Sequence, residues 1–477
     1  MMAPSRRSLR PSLSTTFEAS SSVVAVRPPG RGKLLQVLGV WFGIAAAIGN
    51  TIASGIVRAP GNIAQLLPNP WFFLGVWILG GLYALLGASS LAELGAAIPR
   101  SGGQYHYARR GIGEYAGFLV GWSDWLSTCG TNAVMAIVIG EYGAVLLPSL
   151  RTWQKPLGVS ILLFFAFLQW RGVKWGSGAQ LVTAALKTGA LLLLVAACFL
   201  LGSHFHVAAQ AASPTCASAL PSGWLLAAAV LLGLQFVVTT VDGWDGIIYF
   251  GEEVKDPGRE VPRAIFASVF SIMGIYLLLI LALLYVLPMN EIAGNIFALG
   301  AAANKVFGSY GDPAIRIIMI VSLLSCINAC QMFATRVLHS MSRDKLFFNP
   351  ASKVNAGGTP VIALLLSTLV GIIFVLGNFE RIVAMLSFFF VANYTLSYSS
   401  LFLLRKREPD MPRPYRARGY PWTTGIALVA SIIFLVVSLQ EDRSNAPIAF
   451  GILLASYPLF RILKWVSRTA DLAAPPA

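Results

Sequence analysis

The first apolar segment of the chain is interrupted by glycines and polar residues, in the stretch Ile48-Gly49-Asn50-Thr51-Ile52-Ala53-Ser54-Gly55-Ile56. A glycine inside a helix costs about 1 kcal/mol relative to alanine. Irregular backbone at membrane depth is tolerated only where protein covers it or where it lines a cavity. The stretch therefore predicts a membrane helix that breaks near its middle. The alternative is a close contact between two helices through small residues.

The composition around this stretch is that of a membrane protein. Of the 477 residues, 56% are hydrophobic and 12% are charged, whereas a soluble chain carries about 25% charged residues. These values exclude a soluble enzyme and a disordered protein. Apolar runs close to the length of a helical span, about 20 residues, occur at 34–67, 71–98, 115–147, 156–171, 176–202, 223–250, 262–288, 312–340, 360–377, 380–404, 421–440 and 446–465. The sequence thus predicts an all-α integral membrane protein with about 12 transmembrane helices.

The sixth run contains a second interruption, Thr239-Thr240-Val241-Asp242-Gly243-Trp244-Asp245-Gly246. A carboxylate at mid-membrane is energetically expensive and marks a functional site by default. The first and sixth runs each open one five-span half of the chain, at 34–202 and 223–404. Breaks in corresponding positions predict an inverted 5+5 repeat with discontinuous helices 1 and 6 and a binding site near the midplane, as in secondary transporters. Residues 421–465 supply helices 11 and 12.

The basic residues indicate the orientation of the chain. The formal net charge is +15, and with an even number of spans most of the 35 Lys and Arg residues fall on the side that holds both termini. Basic loops are retained in the cytoplasm during insertion. We therefore expect a multi-pass protein of the cell membrane, with a disordered cytoplasmic N-terminal tail at 1–33 and a short cytoplasmic C-terminal tail at 466–477. The positive charge reflects this topology, and no nucleic-acid partner is expected.

The backbone at a helix break can recognise a substrate. The second half-helix begins with unpaired N–H groups at the positive end of its dipole, near Ser54, Gly55 and Ile56, and these can hold a carboxylate. The first half-helix ends with unpaired carbonyls from Ile48 to Thr51, which can hold an ammonium, and the second break offers more carbonyls. A ligand with an ammonium one carbon from a carboxylate fits this arrangement. The predicted substrate is therefore an α-amino acid.

Several motifs resemble the amino acid–polyamine–organocation (APC) superfamily of transporters, and they occur in that family's order. They are Ala53-Ser54-Gly55-Ile56, Ile98-Pro99-Arg100-Ser101-Gly102-Gly103-Gln104-Tyr105, Glu252-Glu253-Val254-Lys255-Asp256-Pro257-Gly258-Arg259, Met341-Ser342-Arg343-Asp344-Lys345 and Arg413-Pro414-Tyr415-Arg416. The resemblance implies a LeuT-type fold. It also implies an amino acid permease that works by alternating access. Symport with protons and exchange of substrates are both open, and a polyamine or organocation transporter and an amino acid sensor are the alternatives.

The resemblance also implies which residues bind the substrate. By position they are Thr51, Ala53, Ser54, Gly55, Ile56, Thr239, Asp242, Gly243, Trp244 and Asp245. The sequence departs from the family pattern at three of them. Ala53 replaces the first glycine of the break, Thr239 stands where relatives often carry an aromatic gate, and Asp242 stands where many have a small residue. Two roles are open for Asp242: pairing with a cationic substrate side chain, or bonding to the broken backbone.

Lys187 is the residue expected to replace a coupling ion. It lies among apolar neighbours in the fifth run, where a charged side chain is costly. In the family, a lysine on this span takes the place of sodium, so the resemblance implies sodium-independent transport. Two roles remain open for Lys187, as a carrier of the coupled proton or as a fixed tether to carbonyls of the first span.

Other charged and aromatic residues are expected to support the site without binding the substrate. Arg58 either attracts carboxylates to the outer vestibule or reaches the lipid headgroups. Glu93 and Arg336 are expected in an inner ion-pair gate. Helix packing and the rim of the vestibule are expected for Trp122, Asp124, Trp125 and Glu141.

No cofactor or metal is expected. Five cysteines, four of them in apolar runs, and four histidines show no ligand spacing or disulfide framework. Cys326 and Cys330, four residues apart, are interpreted as small packing residues. Residues 148–155 contain no cysteine, whereas family members that are disulfide-linked to a heavy chain carry one in that loop. The expected partners are therefore the amino acid, the lipid bilayer and, for a symporter, protons.

Overall fold

The computed structural model describes residues 34–202, 220–377, 379–441 and 446–473. The tail at 1–33 and the last four residues of the expected C-terminal tail lie outside these ranges. The first half of the described chain forms α1 to α7, at Val40–Thr51, Gly55–Leu66, Pro70–Ala97, Tyr105–Gly111, Glu114–Leu146, Gln154–Trp170 and Val173–Leu201. The second half forms α8 to α16, at Trp224–Val241, Pro257–Val286, Met289–Ile292, Ala298–Phe307, Gly311–Arg343, Val361–Leu376, Phe379–Arg407, Trp422–Glu441 and Ala446–Ala473.

The helices confirm the expected all-α, multi-pass architecture. Eight are long and apolar enough to cross a membrane, and nine spans result if the bent pair of α1 and α2 counts as one. The other three apolar runs of the sequence correspond to α6, α13 and α14, which are shorter or more polar. Within the described ranges no strand forms, and two isolated β-bridges join loop residues. The last helix continues to Ala473, beyond the expected end of the span at 465.

The bundle is packed around α5 and α12, which contact each other along much of their length. Its outer surface is apolar, as the bilayer requires. On α7, Leu186, Leu193 and Leu200 recur every seven residues and are all exposed. Lys187, next to Leu186, is fully buried on the inner side of the same helix. The amphipathic pattern of α7 is therefore inverted relative to a soluble helix, with leucines outside and the charge inside.

Both predicted breaks are present in the structure. The axes of α1 and α2 differ by 51° across Ile52–Ser54. The other helix, α8, ends at Val241 and is followed by Gly243 at φ +101°, a conformation that favours glycine. The expected second half of this span is a single 3₁₀ turn, Gly246–Tyr249. The two breaks therefore differ, since only the first is followed by a helix of three turns.

The face of the bundle where α1 begins, called the N-terminal face here, is closed by ion pairs. Glu253 is joined to Arg336 by two hydrogen bonds of 3.0 Å, and both side chains are buried. Glu93 pairs instead with Arg405, at 2.5 Å, and with Arg413, at 3.2 Å. Glu93 and Arg336, the two residues expected in an inner ion-pair gate, therefore lie in separate clusters with different partners.

Acid should destabilise the N-terminal face through His106, which lies on the short helix α4 outside the spans. Burial lowers the pKa of His106 to about 4, although Asp344 and the Ser101 carbonyl favour the charged ring and Arg100 and Arg343 oppose it. Because the unfolded state then binds the proton more readily, stability falls as the pH drops from 6.5 towards 4. From pH 7 to pH 5 we expect a loss of roughly 2 kcal/mol.

Thermal unfolding of the purified protein at both pH values measures this loss, and His106→Gln should reduce it. An equal acid-induced loss in the variant would contradict the assignment to His106.

Candidate functional site

A cavity of about 350 Å³ lies between the two breaks, near the lower end of the range for small-molecule sites. Eight of the ten residues expected to bind the substrate line it, namely Thr51, Ala53, Ser54, Gly55, Thr239, Asp242, Gly243 and Asp245. Ile56 and Trp244 are buried behind its wall. Trp244 stacks on Tyr394, with ring centroids 5.7 Å apart, so it holds a lining residue in place.

The N-terminus of α2 provides the anion-binding end of the cavity. Its first N–H groups, which begin at Gly55, have no acceptor within the helix and lie at the positive end of the dipole. Gly55 also packs against α8, because a Cβ atom there would lie 3.0 Å from the Thr240 hydroxyl. A larger side chain at this position would separate the two breaks.

The carbonyls at the end of α1 are bonded by side chains from other helices. The Lys187 ammonium donates to the Gly49 and Ile52 oxygens at 2.9 and 2.8 Å. The Tyr276 hydroxyl lies 2.9 Å from the Thr51 oxygen, and the Cys326 thiol donates to the Asn50 oxygen at 3.3 Å. The expectation that these carbonyls are unpaired is therefore corrected: the protein itself occupies most of the positions that a ligand ammonium was expected to use.

Lys187 does not line the cavity, because it lies behind the break of α1. Ser322 of α12 also donates to the Ile52 oxygen, so α1, α7 and α12 meet at this carbonyl. Among the described residues, no carboxylate lies within salt-bridge distance of Lys187. The ammonium is compensated by backbone dipoles alone.

Three carboxylates face the cavity, and each accepts a hydrogen bond from a neutral donor. Tyr394 donates to Asp242 at 2.8 Å, and Gln104 donates to Asp245 at 3.0 Å. Tyr249 donates to Asp124 at 2.9 Å. Asp124 was expected to support packing and the vestibule rim, but it lines the cavity itself. A carboxylate in the middle of an apolar span was the signal that could have placed it in the site.

Several further lining residues were not expected from the sequence, among them Gln104, Tyr249, Phe333 and Tyr394. Phe333 and Tyr394 come from α12 and α14, Tyr249 from the 3₁₀ turn and Gln104 from the loop before α4, whose family motif was not interpreted as part of the site. Gln104 is fixed by Ser397, which donates to its side-chain oxygen at 2.9 Å. The site is therefore built by tertiary packing around the two breaks.

The cavity is closed towards the N-terminal face and open towards the other. Tyr249 and Phe333 form its floor, stacked with centroids 4.6 Å apart. Below them Phe250 contacts Arg336, whose guanidinium lies 5.0 Å from the ring centre. At the opposite end Arg58 lines the cavity, lies 3.4 Å from Glu141 and remains 39% exposed.

Comparison with known proteins identifies the family of the chain. A family model described as "Amino acid permease" matches residues 38–455. The chain is 28% identical over 445 residues to the serine/threonine exchanger SteT of Bacillus subtilis (strain 168), covering 90% of this chain and 97% of that protein. It is 27% identical to the human Asc-type amino acid transporter 1, covering 90% and 82%. It is 26% identical to the human large neutral amino acids transporter small subunit 2, covering 93% and 83%.

Proposed function

The chain belongs to the amino acid permease family, and from this premise we propose that it carries α-amino acids across the cell membrane by alternating access. It is a multi-pass membrane transporter and not an enzyme. The observation that carries the proposal is the cavity between the two breaks, with the N-terminus of α2 at one side and carboxylates at the other. A carboxylate bound at the helix terminus and an ammonium bound by an acid account for both ends of an amino acid.

The N-terminal face is proposed to be cytoplasmic. Most basic loop residues lie on that side, which agrees with the retention of positive loops in the cytoplasm. Both termini are then cytoplasmic, and the open end of the cavity, at Arg58, faces outward. The structure corresponds to an outward-facing conformation, in which the ion pairs of the N-terminal face block the inner path.

We propose that transport is independent of sodium and that Lys187 is a tether. The ammonium lies against carbonyls of the α1 break, where a bound cation would otherwise neutralise the same dipoles. Bonds to two carbonyls at normal distances favour a fixed structural role over proton transfer. Because a tethered Lys187 carries no coupled proton, we propose that transport is an exchange of internal for external amino acid. No disulfide-linked heavy chain is proposed, because residues 148–155 contain no cysteine.

Uptake of labelled amino acids into proteoliposomes tests the proposed function. Vesicles with and without internal amino acid, and with and without an inward proton gradient, should be compared in choline buffer. We expect uptake only against internal substrate. Uptake into empty vesicles driven by protons would make the chain a symporter, and a requirement for sodium would contradict the role of Lys187. No uptake of any amino acid under any of these conditions would refute the transport proposal.

A thiol reagent should block transport through Cys330. Its sulfur faces the cavity and donates to the Asn50 side-chain oxygen at 2.8 Å, so an adduct would fill the site. We expect methanethiosulfonate to reduce uptake by roughly tenfold or more, and amino acid present during labelling to slow this loss.

The matched controls are Cys330→Ser and Cys198→Ser, each compared with its own untreated sample. Cys198 is buried in α7 outside the cavity, so its variant should stay as sensitive as the native protein. Unchanged sensitivity in Cys330→Ser would show that the reagent acts elsewhere.

A further inference from the structure

The wall of the cavity carries more negative than positive groups. Asp124 comes from α5, and Asp242 and Asp245 come from the break after α8. The described lining residues include one basic side chain, Arg58, which lies at the mouth beside Glu141. The three carboxylates are thus not balanced by cations of the protein within the cavity.

The donors that contact these carboxylates are neutral. Tyr249, Tyr394 and Gln104 each supply one hydrogen bond, but none supplies a positive charge. A buried carboxylate without a counterion is strongly unfavourable, so such a group either takes a proton or is compensated by a bound cation. The arrangement fixes the orientation of the carboxylates and leaves their charge for a ligand.

Two buried polar atoms of the wall have no partner in the described part of the chain. They are Oδ2 of Asp124 and the hydroxyl oxygen of Thr51. Both residues are only 3% exposed and both line the cavity. Buried acceptors of this kind normally find a donor. An ammonium has three N–H donors and a guanidinium has five, so a cationic group supplies both the charge and the missing hydrogen bonds.

A single ammonium cannot compensate the negative charge of all three carboxylates. Because Lys187, Tyr276 and Cys326 already bond to the carbonyls at the end of α1, a carboxylate of the wall is the stronger acceptor left for the α-ammonium of an amino acid. That contact leaves further carboxylates of the cluster without a positive partner. A second cation on the same molecule, separated from the first by a side chain, would meet them.

We propose that the transported amino acid has a cationic side chain, with an ammonium or guanidinium held by the carboxylates of Asp124, Asp242 and Asp245. The N-terminus of α2 holds the substrate carboxylate at the other side of the cavity. This inference rests on the proposed function and names its substrate class.

Lysine and norleucine provide the direct test with the unmodified protein, because they differ chiefly in the terminal ammonium. We expect uptake of lysine to exceed that of norleucine by about tenfold or more at equal concentration. Lysine, but not norleucine, should also raise the thermal unfolding midpoint of the purified protein. Equal or preferential uptake of norleucine would overturn the inference and leave amino acid transport intact.

Two other outcomes separate the inference from the proposed function. Uptake of spermidine without uptake of lysine would show that the site does not require a substrate carboxylate, which overturns the inference. If no amino acid at all is carried, the transport proposal itself fails and the inference falls with it. These three results are distinguishable in one set of vesicles.

Variants of the cavity residues show which side chains cause the preference for lysine over norleucine. Asp124→Asn and Asp242→Asn should raise the KM for lysine more than that for norleucine, so that the preference for lysine falls by about tenfold. Glu291→Gln is the control, because Glu291 pairs with Lys305 outside the cavity. This variant also loses one negative charge but should keep the preference for lysine. An unchanged preference in both aspartate variants would assign the selectivity to other residues.

Discussion

Lys187→Met should lower amino acid uptake by roughly 100-fold. The variant loses two charge-assisted hydrogen bonds, to the Gly49 and Ile52 oxygens, and each such bond contributes about 1.5–3 kcal/mol. Ser322 still bonds to the Ile52 oxygen, whereas the described structure offers no other donor to the Gly49 oxygen. The break of α1 would then lose its fixed geometry beside the substrate. The initial rate of uptake in proteoliposomes measures the effect.

Lys174→Met is the matched control, since Lys174 lies on the same helix and is exposed. It should change uptake by less than about twofold. The exchange assay separates the two roles of Lys187. A tether predicts that exchange falls in the variant, whereas a proton carrier predicts that exchange survives. Exchange at the native rate in Lys187→Met would therefore exclude the tether.

Glu253→Gln should destabilise the N-terminal face by about 3–5 kcal/mol. The change removes the counterion of Arg336 in a site where both side chains are at most 1% exposed. The guanidinium is then buried without compensation against Phe250. Because the same pair closes the inner path, we also expect the variant to favour the inward-open conformation. The thermal unfolding midpoint in detergent reports the first effect. Thiol labelling from the N-terminal face, at a cysteine placed at Phe333 in a Cys330→Ser background, reports the second.

The pair between Arg110 and Glu408 is the matched control. It is also doubly bonded, at 2.6 and 3.1 Å, but its side chains are 45% and 35% exposed. Glu408→Gln should therefore cost about 0.2–1 kcal/mol. Replacing both Glu253 and Arg336 with apolar residues should recover much of the stability, because no charge is left unpaired. If Glu253→Gln is as mild as Glu408→Gln, the buried pair does not stabilise this face.

The two breaks could be predicted from the sequence because they violate the local pattern. Glycine, serine and aspartate inside apolar runs conflict with helix formation in a membrane, and the conflict is visible without any knowledge of neighbours. Combined with the resemblance to the APC superfamily, this reasoning named eight of the residues that line the cavity. It also gave the orientation of the α2 N-terminus as an anion-binding end.

The groups that complete the site could not be predicted in this way. Tyr276 and Ser322 lie on ordinary apolar helices, and only packing brings them to the carbonyls of α1. The partners of Glu93 and Arg336 could not be predicted for the same reason, because the sequence gives the depth of a charged residue in the membrane but not its neighbour. Asp124 was different. Its carboxylate already conflicted with its span, and interpreting it as a packing residue ignored that conflict.

One hydroxyl group connects the two halves of the chain. The Tyr276 oxygen lies 2.9 Å from the carbonyl of Thr51 and 3.2 Å from that of Thr240. It carries a single proton, so it can satisfy one carbonyl fully only at the expense of the other. The first and sixth spans therefore compete for one donor. A displacement of either span changes the hydrogen bonding of the other, so the two spans are energetically coupled.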